Sequence, residues 1–120
     1  MRAIKIDVEK QEVYALEIEP GLQPLYDAIG CEMIELPVIF CGQHALYVDE
    51  EGLLKPHLIK GGFYFEHFLS QPLIGNGIIV NGDDEGNDTD CLLTETEVRK
   101  MVKFLDKEFT EYVADKILNS

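Results

Sequence analysis

The stretch Asn81-Gly-Asp-Asp-Glu-Gly-Asn-Asp-Thr-Asp90 puts five carboxylates into ten residues with no lysine or arginine among them. Oxygen donors at that density suit a hard cation such as calcium, which takes roughly six to eight oxygen ligands. The spacing argues against an EF-hand. With Asp83 at the first loop position, Glu85 and Asn87 fall in register, but Asp88 takes the glycine position and Thr94 the position of the closing glutamate. The plainer reading is an exposed, mobile turn built on Gly82, Gly86 and Asn87, held open by repulsion between its carboxylates and carrying no ordered ion. It is expected to join a strand ending near Val80 to a helix beginning near Thr94.

Cys41-Gly-Gln-His44 is the second group with chemical capacity, since thiolate and imidazole serve as zinc ligands and as nucleophile and base. Cys31, His57 or His67 would have to complete a metal site, yet zinc sites show paired close spacings and only one pair is present. No oxyanion or glycine-elbow context accompanies the thiol. The reading that remains is a buried Cys41 and a surface His44. Gly75 and Gly77 lead into a strand rather than opening a helix, so they make no phosphate cradle. Phe63, Phe65 and Phe68 lack the basic neighbours of a base-stacking groove and are read as core. Accordingly no catalytic, cofactor-binding or metal-ligating residue is assigned.

The elements that would hold these residues follow from periodicity. Ala3, Lys5 and Asp7 alternate with Ile4, Ile6 and Val8, and Val13, Ala15, Glu17 and Glu19 alternate with Tyr14, Leu16 and Ile18, which predicts an antiparallel hairpin with one buried face. Pro20-Gly21 breaks it. Leu22, Leu25 and Ile29 then sit at helical spacing, closed by Gly30 as C-cap. "CEMIELPVIF" and "HALYVDEEGLLK" read as strands, with a turn from Asp49 to Gly52, and the simplest arrangement is a meander. Over Pro56–Pro72 a strand and a short helix both fit "FYFEHFLS". "GIIV" reads as a buried strand. Thr94-x-x-Glu97 forms a capping box, and Val98, Met101, Val102, Leu105, Phe109, Tyr112, Val113 and Ile117 make an apolar stripe at spacings of three and four. Glu95 and Arg99 add an i,i+4 pair. The fold class is thus α+β: an antiparallel sheet built from an N-terminal hairpin and further strands, a short helix near 22–30 and a C-terminal amphipathic helix near 95–117.

A chain of 120 residues with 46% hydrophobic and 28% charged content suits a single domain, 1–120. Runs such as "LPVIF" are far shorter than the roughly 20 residues of a spanning helix, and "MRAIKIDV", with charges alternating through it, is not expected to be a signal peptide. Three cysteines without a CxxC pair suggest reduced thiols in a cytoplasm. The net charge of −13 disfavours direct binding to nucleic acid or to anionic lipid. Residues 11–54 carry nine carboxylates and residues 61–98 eight, with no lysine or arginine in either span.

In order and local pattern, "LQPLYDAIGCEMIEL", "ALYVDEEGLLK", "GNGIIVNGDDEGNDT" and "LLTETEVRKMVKFL" resemble an uncharacterised family of small proteins, a domain of unknown function found on phages, plasmids and conjugative elements of bacteria. The resemblance covers roughly residues 12–105. It implies a mobile-element setting and supplies no active-site residues. Three functions follow as expectations: a non-enzymatic accessory protein that binds another protein, an acidic decoy competing with DNA for a DNA-binding protein, and, least favoured, a hydrolase or metal enzyme using Cys41, His44 and a carboxylate. Oligomeric state is left open.

Overall fold

The alternation at the amino terminus folds as the pattern dictates. In the computed structural model, which describes residues 1–50 and 61–118, β1 (Arg2–Asp7) and β2 (Glu12–Glu17) pair antiparallel from Arg2 against Glu17 to Asp7 against Glu12. Both faces of β1 are covered, rather than one. Ile4 and Ile6 are buried on one side and Ala3 on the other. The second cover is α1 (Leu22–Ile29), which turns Leu25 and Ile29 inward and ends on Gly30 at φ 85°, a left-handed conformation that glycine adopts without a Cβ clash.

β3 (Ile34–Phe40) and β4 (His44–Asp49) form a second antiparallel hairpin, with a register shift between Glu35 and Val38. The strands do not form a meander. β7 (Gly77–Gly82) inserts between β1 and β4, giving the order β2-β1-β7-β4-β3 with every neighbouring pair antiparallel. The reason lies in "GIIV". Ile78 and Val80 pack toward α1 while Ile79 packs toward the opposite core, all fully buried, and a strand apolar on both sides is stable only inside a sheet.

A smaller sheet covers that opposite core. β5 (Gly62–Phe65) lies between β6 (Leu73–Ile74) and β9 (Val102–Leu105), so "FYFEHFLS" is a strand running into turns rather than a helix. Phe63 and Phe65 are fully buried against Ile4, Ile6, Leu46 and Ile79. The fold is therefore layered: α1, the large sheet, then the small sheet with α2 (Glu95–Met101), whose Val98 joins the same core. The α+β class stands. Asp49–Gly52 extends past the described residues, and Pro56–Lys60, His57 included, lies outside them.

The C-terminal stripe divides where one helix was expected. α2 runs only to Met101, β9 follows, and α3 (Lys107–Leu118) completes the described chain. Buried backbone groups of β5 need partners, and Val102-Lys-Phe-Leu105 alternates well enough to supply them, residue against residue from Phe65–Val102 to Gly62–Leu105. Asp106 then restarts a helix. Its carboxylate accepts the Phe109 N–H at 2.6 Å, and its carbonyl accepts the Thr110 N–H at 2.9 Å. The capping box at Thr94 and Glu97 and the Glu95–Arg99 pair, at 3.6 Å, form as the sequence predicts.

Candidate functional site

The acidic stretch is a closed hairpin, not an open loop. β8 (Asp88–Thr89) pairs back on β7, and the two-residue strand leads through Asp90 toward α2. Asp83 organises the turn. Its Oδ1 accepts the backbone N–H groups of Glu85 at 2.9 Å and Asn87 at 2.8 Å, and Oδ2 accepts the Asn87 amide at 3.2 Å. Three donors aimed at one carboxylate, led by the Asn87 N–H, hold its pKa below the ordinary value. Asp84 accepts from Gln43, Asp88 from the Tyr47 hydroxyl, and Asp90 from the Arg2 N–H. Internal donors outweigh the mutual repulsion that the sequence suggested, because each removes a carboxylate's need for a counter-charge. Among the described residues no three His, Cys, Asp or Glu side chains are grouped as a metal site.

Cys41 and His44 exchange their expected places. Cys41 is exposed in the β3–β4 turn at φ 48°, while His44 is only 4% exposed. The imidazole is a structural tie. Its Nε2 accepts the Leu92 N–H at 3.1 Å, which leaves Nδ1 to donate to the Cys41 carbonyl at 3.0 Å. Both ring nitrogens are thereby engaged with backbone. Arg2 holds the same segment from the other side, donating from Nη1 to the carbonyls of Cys91 and Leu93, both at 2.8 Å. Cys91 is buried, and burial pushes its thiol pKa up, so it is a poor thiolate source. His67 is exposed and Cys31 partly buried. A Cys41–His44 dyad has no geometric support, since the only contact the imidazole makes with Cys41 is to its carbonyl. Phe63 and Phe65 are core as expected. Phe68 is not fully so, because its ring sits at the rim, 36% exposed, with centroids 5.1 Å from Phe40 and 5.3 Å from Phe65.

Among the described residues, exposed apolar side chains gather at the end strand β3. Met33, Leu36 and Ile39 are exposed by 48%, 42% and 60% along one short stretch, next to exposed Glu32, Glu35 and Glu50. Glu35 has its pKa raised, first by partial burial and then by the charges of Glu50 and Asp49. Pro37 and the register shift beside it keep this strand from extending the sheet, because proline lacks the N–H a further ladder would use. The alternation in "CEMIELPVIF" predicts an ordinary strand. Pro37 was the available signal that it lies at an edge.

A cleft of about 280 Å³ opens at the other end of the large sheet, lined by Gln11, Glu12, Val13, Tyr14, Arg99 and Phe104. It lies between β2 and β9, the outer strands of the two sheets. No described helix is long and apolar enough to cross a membrane.

Residues 1–106 match the family described as a domain of unknown function (DUF3846), and the chain belongs to that family. The match ends at the last residue before α3. No curated protein and no solved structure matches the chain.

Proposed function

We propose, from membership of a family with no assigned activity, that this protein works by binding another protein, as a small acidic accessory of a bacterial mobile element acting in the cytoplasm. The observation that carries the reading is the β3 surface. Exposed apolar side chains scattered singly are ordinary on a monomer, but Met33, just before β3, and Leu36 and Ile39 on it lie within seven consecutive residues. The mobile-element setting draws on the resemblance of the segments over residues 12–105.

The runner-up is an acidic imitation of DNA, supported by the net charge of −13. The geometry favours it less. Four of the five hairpin carboxylates, Asp83, Asp84, Asp88 and Asp90, accept hydrogen bonds from the protein itself, so they serve the fold before any partner. An imitation of duplex phosphates would leave them free of such bonds.

Affinity capture from the native cell, with the wild-type chain beside a Leu36→Asp/Ile39→Asp double variant, tests the reading. A stoichiometric protein retained by the wild type and lost by the folded variant is the expected result. Equal capture by both would move the interface elsewhere, and repeated capture of nothing, with turnover of a metabolite, would replace binding by catalysis.

A further inference from the structure

Strand β2 ends the large sheet opposite β3, and among the described residues no strand lies beyond it. Its hydrogen-bond phase shows which backbone groups face outward. Met1 and Ile18 exchange both backbone bonds, each at 3.0 Å. In an antiparallel ladder such pairs alternate with pairs that do not bond to each other. Counting along the register, Ala3–Leu16, Lys5–Tyr14 and Asp7–Glu12 are bonded, while Arg2–Glu17, Ile4–Ala15 and Ile6–Val13 lie between them. The N–H and C=O groups of Val13, Ala15 and Glu17 therefore point away from β1.

The Arg99 guanidinium reaches from α2 to the Val13 carbonyl at 2.9 Å and closes the edge at that point. Among the described residues nothing bonds the outward groups of Ala15 and Glu17 beyond it. The cleft beside Arg99 has an apolar floor in Val13 and Phe104, while Glu12 on the strand and Glu19 just past it are exposed, as is Glu17, whose carboxylate lies 3.2 Å from the Met1 ammonium. Pairing with a second copy is disfavoured, because each copy carries a net charge of −13. A basic segment meets no such repulsion. Nor does the strand carry an internal proline, in contrast to β3 with its Pro37.

We propose that β2 accepts an extended, lysine- or arginine-bearing segment of a partner protein as an added strand opposite Ala15 and Glu17, with one of its side chains in the cleft between Val13 and Phe104. This rests on the reading that the protein acts by binding other proteins, and it adds a second contact surface with its own chemistry: backbone pairing for affinity, glutamates for selectivity.

The test uses the full isotope-labelled chain and two synthetic probes, a capped peptide of alternating lysine and valine and its glutamate–valine counterpart. The lysine peptide is expected to slow amide exchange at Ala15 and Glu17 and to shift resonances along β2, at Arg99 and at Phe104. Ala15→Pro removes an outward N–H without touching a bond to β1 and is expected to weaken binding about tenfold. Glu12→Lys/Glu19→Lys, which alters only exposed side chains, is expected to weaken the lysine peptide and admit the glutamate peptide. Shifts spread over the acidic surface, equal binding of both peptides, or protection of Ala15 by the chain's own self-association would each overturn the proposal. Loss of peptide binding at β2 with capture still dependent on Leu36 and Ile39 refutes the added strand alone. Failure of both, with no protein captured, refutes the protein-binding reading as well.

Discussion

Asp83 does more for the acidic hairpin than its neighbours, because its carboxylate gathers the N–H groups that would otherwise open the turn. Asp83→Ala is expected to lower the melting temperature, whereas Glu85→Ala is expected to leave it unchanged. The pH dependence has a definite sign. A carboxyl whose folded pKa is depressed adds stability that is complete above its ordinary value of 3.8 and is lost as pH falls through the lower folded value. Urea midpoints compared between about pH 5 and pH 3 should therefore fall further for the wild type than for Asp83→Asn. Tyr47 behaves in the opposite sense. Burial first, then the charge of Asp88 and the hydrogen bond to it at 3.0 Å, pushes its pKa up to about 12. The stability it adds is complete below the ordinary value of 10.0 and is lost as pH rises through about 12. In an alkaline absorbance titration one of the five tyrosines should ionise near the top of that range, and Tyr47→Phe should remove that step. Five tyrosines titrating together would contradict the buried bond.

Among elements, the junction after α2 is the most informative. Asp106→Ala removes the cap of α3 and is expected to cost about 1 kcal/mol, read from denaturant midpoints. Gly62→Ala should cost about 1–3 kcal/mol, because a Cβ there would stand 2.6 Å from the Leu73 carbonyl, and backbone of a paired strand yields poorly. The same junction shows what the sequence could reveal. The first hairpin, α1 with its Gly30 cap and the Thr94 capping box all rest on contacts between near neighbours, and all were legible. Spacings of three and four ran unbroken through Val102 and Leu105, so the stripe matched a helix. The need that overrode it, the unpaired edge of β5, comes from residues some forty positions away. Asp106 followed by Lys107-Glu108-Phe109 was a local restart signal within that stripe. His44 was illegible for a related reason, since one of its two partners, the Leu92 N–H, lies 48 residues distant. The apolar edge at Met33, Leu36 and Ile39 was legible only through Pro37.

For the whole molecule, the distribution of exposed groups weighs more than the total charge. One end of the large sheet offers apolar side chains on β3, the other offers outward backbone groups and glutamates on β2, and the acidic hairpin between them is tied to Gln43, Tyr47 and Arg2. A protein-binding surface and an imitation of DNA therefore predict different footprints on the same chain. Amide exchange measured by mass spectrometry, for the chain alone and bound to its captured partner, separates them directly. The protein-binding account predicts slowed exchange in peptides spanning Met33–Ile39. Protection elsewhere without the β3 segment would move the interface off β3, and protection confined to Asn81–Asp90 would contradict the account.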